Sequence, residues 1–159
     1  MNINIICIGK LKERYWTEAV AEYMKRLSRF CTITITELKE ERLQDNASAA
    51  DEEKVKTAEG KSILKNHSPQ AFAVVLDVKG KSLSSEQLAE KLEKLGLDGT
   101  SNVEFIIGGS LGLSQEVLQE ADLRLSFSAM TFPHQMMRVI LLEQIYRSFK
   151  IMRNETYHK

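Results

Sequence analysis

Two short stretches and a pair of C-terminal side chains carry the residue types that could do chemistry. "FIIGGSLGLS", residues 105–114, and "SFSAMTFPH", residues 126–134, each begin at or in an apolar run and pass into glycine, serine or proline. In the first, Gly108, Ser110 and Gly112 stand in G-x-S-x-G spacing, and Asp122 and His134 follow in the nucleophile, acid, base order of an α/β-hydrolase. The same glycines suit a turn whose backbone approaches a ligand closely. The spacing is neither G-x-G-x-x-G nor a Walker loop, so a phosphate-bearing cofactor is not indicated. Near the end stand Tyr157 and His158, a phenol and an imidazole.

Position within the elements separates the two readings of the glycine loop. Ser110 follows an apolar run that reads as a strand, whereas Asp122 precedes one. In parallel strands those are opposite edges of a sheet, about 15 Å apart at about 3.3 Å per residue. A nucleophile, base and orienting acid need direct hydrogen-bond reach. The serine hydrolase reading through Ser110 stays open as an alternative, with the geometry against it. The second stretch would meet the glycine loop at the same edge. Phe127, Met130 and Phe132 would then line an apolar slot with backbone polar groups exposed, suited to a flat uncharged heterocycle such as adenine.

The elements that must position these loops are legible. Strands are expected at 2–8, 32–38, 71–78, 103–107 and 123–127. "TITIT" alternates as a strand with one wet face does, while "FAVVLDV" and "VEFIIG" are continuous apolar runs, as in strands covered on both faces. Helical spacing is expected over 13–28, 51–66 and 84–95, in a short helix near Ser114 and in a long one after Pro133. The fold class is therefore α/β, a mostly parallel sheet with helices on both faces. Residues 39–53, "KEERLQDNASAADEE", read as a solvated acidic connection. "MMRVILL", residues 136–142, has six apolar residues in seven, so that helix needs cover on more than one side. A second copy of the chain is the expected cover, making a homodimer.

Length and composition bound the rest. A chain of 159 residues with 43 % hydrophobic and 28 % charged residues reads as one soluble domain spanning 1–159. The apolar start is too short to span a membrane and lacks signal-peptide features, so a cytoplasmic protein with no membrane association is expected. Cys7 and Cys31 make neither a disulfide framework nor a metal-ligand spacing; free thiols and no metal are expected. The net charge is zero but uneven. Residues 9–29 hold six Lys/Arg against three Glu, and 134–159 hold five against two, whereas 37–59 hold eight acids against four bases. One positive face, of the kind that meets nucleic acid, is a reading this pattern allows.

"GKLKERYW" after the first strand, "FIIGGSLGL", "LSFSAMTFPHQMMRVILLEQIYRSFKI" and the final "YHK" resemble the RlmH family, formerly YbeA, of SPOUT methyltransferases. The resemblance covers essentially the whole chain. It implies an α/β sheet whose C-terminal segment threads a trefoil knot, against the general rule for chain connections. It implies a homodimer on the assembled bacterial ribosome, methylating N3 of pseudouridine 1915 in a 23S rRNA stem-loop with S-adenosylmethionine. Carried over by motif, the cofactor-binding positions are Leu76, Gly108, Phe127, Ser128, Ala129, Met130, Thr131 and Phe132. The implied catalytic residues are Arg147, to hold a phosphate or carbonyl oxygen; Tyr157, to stack or donate a hydrogen bond; and His158, to accept or relay a proton. Read from spacing alone, Arg147 is equally an i,i+4 ion-pair partner of Glu143. His134 reads as a helix-start residue near the pocket. Lys10, Lys12, Arg14, Lys150, Arg153 and Lys159 are candidate phosphate contacts. Many relatives have glycine where this chain has Asn154, proline or alanine at Thr156, and close ones lysine at Ala129; asparagine tolerates left-handed backbone, so the turn at 154 can survive. A non-catalytic nucleotide-binding or ribosome-associated module remains the alternative.

Overall fold

A computed structural model describes residues 1–157. In chain order the elements are β1 (Asn2–Ile8), α1 (Arg14–Leu27), β2 (Thr32–Leu38), α2 (Ala49–Asn66) and β3 (Phe72–Ser82). They continue with α3 (Ser85–Leu97), β4 (Asn102–Ile107), α4 (Gln115–Gln119), β5 (Leu123–Ser126) and α5 (His134–Met152). The five strands form one parallel sheet in the order β2-β1-β4-β3-β5.

The pleat sorts the apolar residues into two cores. Ile3, Ile5 and Cys7 of β1, Phe105 of β4 and Val74 of β3 point to one face and pack on Leu27 of α1, Leu92 of α3, and Leu141, Leu142 and Ile145 of α5. Ile6, Ile8, Val75 and Ile106 point to the other face and pack on Ile63 of α2 and Val117 of α4. Burial on both faces explains why β3 and β4 read as continuous apolar runs. Strand β2 sits at the sheet edge and keeps its alternation, with Thr32 and Thr34 exposed. The α/β reading with helices on both faces is the observed fold.

Most elements differ from the sequence reading at a boundary, generally by one or two residues; α2, β3 and β5 are among them. Helix α2 starts at Ala49, inside the stretch read as loose, because Ser48 and Asp51 cap each other reciprocally. That capping box uses an aspartate where glutamate or glutamine is the usual signal. Strand β3 runs on to Ser82 through an irregularity: Leu76 and Lys81 both pair with Leu125 of β5. The intervening residues are Asp77, the exposed Val78, Lys79 and Gly80, and at Gly80 a Cβ would stand 2.6 Å from the Arg124 carbonyl oxygen. Asp77, just beyond the break, is ion-paired with Arg124 of β5. Strand β5 ends at Ser126, one residue early.

Candidate active site

Strands β4, β3 and β5 are neighbours and parallel, so the loops that follow them meet at one sheet edge, where open α/β sheets bind ligands. Between these loops lies a cleft of about 300 Å³. Leu76 borders it from β3, Gly108 from the end of β4, and Phe127, Ser128, Met130, Thr131 and Phe132 from the segment after β5. Ala129 is exposed and does not border the cleft. His134 and Met137, from the start of α5, close one side. The lining contains one carboxylate, Asp77, and neither lysine nor arginine among the described residues.

Local chemistry shapes both loops. At Gly108 a Cβ would stand 2.9 Å from Leu113 Cγ and 3.0 Å from the Gly112 carbonyl oxygen. Gly112 has φ +82°, and its N–H donates to the Gly109 carbonyl at 3.1 Å, closing the turn. In the second loop Ser126 Oγ donates to the Ser128 carbonyl, and Ser128 Oγ accepts from the Met130 N–H at 3.0 Å. These serine turns fix the path from β5 toward Pro133. Behind the glycine loop Glu59 is 4 % exposed, and its carboxylate accepts from the Glu41 N–H at 3.2 Å. Burial, with Glu40 and Glu41 nearby, raises its pKa above the usual carboxylate range.

The structure does not assemble a serine triad. Asp122 accepts from the Ala73 N–H at 2.8 Å near the start of β3, whereas Ser110 is exposed beyond the end of β4. His134 faces Gly9 instead: its Nε2 lies 3.3 Å from where a Gly9 Cβ would stand.

The C-terminal residues form a separate cluster. Arg147 donates to Glu143 Oε1 through Nη2 at 2.6 Å, and the Tyr157 hydroxyl donates to the same oxygen at 3.2 Å. The Arg147 guanidinium lies 4.8 Å from the Tyr157 ring centroid, and Tyr146 meets that ring edge-on at 5.0 Å. Asn154 does adopt the left-handed turn, with φ 52°, and folds the chain back along α5. Burial, followed by the Glu143 charge and hydrogen bond, pushes the Tyr157 phenol up to about 12. Arg147 is held charged by the Glu143 hydrogen bond. Along α5, Arg147 is about 15 Å from Met137 at about 1.5 Å per residue, so within one chain this cluster does not reach the cleft. His158 lies outside the described residues. Met136, Ile140, Glu143, Arg147 and Ile151 form one half-buried stripe at helical spacing, running from the cleft to the cluster.

Residues that the sequence reading passed over hold this arrangement together. Arg138 is only 1 % exposed, the one charge in "MMRVILL". It donates to Glu37 Oε2 at 2.6 Å and to the Gly9 carbonyl at 3.1 Å, tying the start of α5 to β2 and to the turn after β1. Glu143 is the shared acceptor of the C-terminal cluster, visible in sequence only as the i,i+4 partner of Arg147. The signal for Arg138 was its isolation in an apolar run, since a lone buried arginine requires a partner. Cys7 and Cys31 are free, and burial pushes both thiols up to about 11. Among the described residues no group of three or more His, Cys, Asp or Glu could hold a metal, and no helix is long and apolar enough to cross a membrane.

Residues 1–158 match the family described as "Predicted SPOUT methyltransferase". A protein of Clostridium novyi (strain NT) is 57 % identical over 159 residues, covering all of both chains. One of Alkaliphilus oremlandii (strain OhILAs) is 55 % identical and one of Carboxydothermus hydrogenoformans 54 %, again over the full length of both. Each of the three is named "Ribosomal RNA large subunit methyltransferase H". Among solved structures, a probable methylase family protein from Haemophilus influenzae Rd KW20 superposes with a TM-score of 0.54 at 13 % identity. The match covers 99 % of this chain and 70 % of the other, a likeness of fold.

Proposed function

Because the chain belongs to the SPOUT methyltransferase family, we propose that it methylates large-subunit ribosomal RNA. The methyl donor is S-adenosylmethionine, the target is N3 of pseudouridine 1915 in 23S rRNA, and the enzyme works as a homodimer on the assembled bacterial ribosome. The threading of the C-terminal segment into a trefoil knot is carried with this reading as a family property. The substrate class rests on the full-length relatives named for it. The observation that carries the cofactor assignment is the cleft, with its apolar walls, its backbone-lined glycine turn and no lysine or arginine among its described lining residues.

The residues present fit the cofactor. A Cβ at Gly108 would meet Leu113 and Gly112, so this turn leaves its backbone open only as glycine. Leu76, Phe127 and Phe132 offer apolar surface to the adenine, and the loop from Phe127 through Phe132 offers backbone groups at Ser128, Met130 and Thr131, with Ala129 outside the cleft lining. When bound, the cofactor supplies an electrophilic methyl group on a sulfonium. The chain's residues must do the rest. N3 of pseudouridine lies between two carbonyls and becomes nucleophilic as its proton leaves. Arg147 stabilises negative charge developing on a carbonyl oxygen or holds a neighbouring phosphate, Tyr157 stacks on the base or donates a hydrogen bond, and His158 accepts the N3 proton. Tyr157 acts as a neutral phenol, since its pKa is pushed up to about 12.

In this arrangement the tail serves the partner subunit. A two-fold axis that pairs the α5 stripes antiparallel sets the Arg147 end of one helix beside the Met137 end of the other. It also covers Met136, Ile140 and Ile151, which one chain leaves half-buried. Mass spectrometry of nucleosides from treated ribosomes tests the position: N3-methylpseudouridine at 1915 is expected, and a methyl group on another nucleotide or on ribose overturns the assignment.

A further inference from the structure

Beside the C-terminal cluster, on the side away from the cleft, the ends of α1 and α5 enclose a groove of about 470 Å³. Lys25, Arg26 and Arg29 enter it from α1 and the turn that follows; Lys150 and Arg153 enter from the end of α5. The geometry points to this groove as a binding site for the phosphodiester backbone of the RNA substrate, an inference that rests on the proposed RNA methyltransferase reading and extends it to a second surface.

Charge decides the ligand class. Five cations face two carboxylates, Glu22 and Glu155, leaving a net +3. Both helices also end here, and each carboxyl end contributes about −0.5 of a charge. Subtracting that still leaves a surplus of about +2 for an anion to neutralise. The carboxylates are already committed, Glu22 to Arg26 and Glu155 to Lys150. Lys25 and Arg29 are exposed and make no ion pair among the described residues. The floor is aromatic: Arg153, which makes no carboxylate pair among the described residues, lies 4.6 Å from the Phe30 ring centroid, and Arg26, already paired with Glu22, lies 5.8 Å from that of Tyr146. Tyr146 is also the ring against which Tyr157 packs. Tyr146 thus joins the groove to the cluster of Tyr157 and Arg147. Phosphate contacts of this kind position a nucleic acid without reading its sequence.

The test is the binding of bacterial ribosomes to the intact protein and to the double variant Lys25→Gln/Arg29→Gln, across a salt series. Both residues are exposed, so folding is not at stake, and Lys61→Gln/Lys65→Gln on α2 serves as control. The expected result is an affinity loss of about tenfold and a salt-dependence slope shallower by about 2 for the first pair. The control pair should match the intact protein, and cofactor affinity should not change. Equal affinity and slope for both pairs overturns the groove while leaving the methyltransferase reading untouched. A dimer that falls apart in the first variant also overturns it and makes the groove a subunit contact. Charge-dependent ribosome binding without methyl transfer keeps the groove and sinks the catalytic reading instead.

Discussion

The hydroxyl of Tyr157 lies 3.2 Å from Glu143 Oε1 on the same chain's α5, sharing that oxygen with Arg147. The tail is thereby built onto the end of α5 opposite the one that borders the cleft. A phenol held beside a carboxylate in a half-buried setting resists ionisation, and its pKa is pushed up to about 12. The sign follows from the raised value: the folded state favours the neutral phenol. Its contribution is complete below pH about 10, the ordinary tyrosine value, and is lost as pH rises toward about 12. An ultraviolet titration should show one tyrosine ionising late, and Tyr157→Phe should remove that step. A pH–rate profile of the intact protein should show no tyrosine limb below pH about 10.

Gly108 tests the cleft. Valine there would drive its side chain into Leu113 and the Gly112 carbonyl, both already about 3 Å from a bare Cβ. Gly108→Val should cost about 1–3 kcal/mol of stability, as overpacking does. Calorimetry should show S-adenosylmethionine affinity falling by tenfold or more. An unchanged affinity would move the cofactor away from this turn.

Arg138 tests what holds the start of α5. Arg138→Met removes the donor to the Gly9 carbonyl and to Glu37, and should lower stability by about 2–3 kcal/mol in urea denaturation. Glu37→Gln keeps an acceptor oxygen for the guanidinium but strips the buried charge of its counter-charge, so it should cost a smaller amount, about 1–2 kcal/mol. Equal costs would mean that the ion pair, rather than the bond to Gly9, does the anchoring.

Glu59 gives a pH signature. Its folded pKa is raised by burial, so the folded state binds a proton more readily than the unfolded one. Stability from this group is present below the ordinary glutamate pKa and falls as pH rises through the raised folded value. Glu59→Gln should therefore raise the melting temperature at pH 7, with the gain shrinking toward pH 4. A variant less stable than the parent at pH 7 would show that the carboxylate's bond to Glu41 outweighs its desolvation.

Much of this was legible because the sheet is parallel and buried. "FAVVLDV" and "VEFIIG" could be little else than central strands, and once they are parallel their following loops must share an edge. That argument alone predicted an apolar slot between the glycine loop and Phe127, Met130 and Phe132, and separated Ser110 from Asp122; the fuller set of lining positions came from the family resemblance. What stayed hidden depends on partners far apart in sequence. Arg138 meets Gly9 across the fold, and Glu59 reaches the glycine loop from α2; no periodicity marks either. The bulge in β3 was hidden because "DVKGKS" gives a polar, glycine-containing signal that reads as a strand end. The Glu143 hub looked like an ordinary i,i+4 ion pair, which within one chain it also is.

In the proposed reaction one chain's cleft and its partner's tail together methylate 23S rRNA. The most direct measurement is transfer of radiolabelled methyl from S-adenosylmethionine to bacterial ribosomes lacking the modification. The intact protein, a chain ending at Thr156, Gly108→Val, and a re-equilibrated mixture of the last two are compared. Label is expected in 23S RNA with the intact protein and almost none with either defective chain. In the mixture one intact composite site forms in each heterodimer, so up to about a quarter of the intact activity should return. Label that persists in the truncated chain, or a mixture that stays inactive while its heterodimers form, would contradict the account.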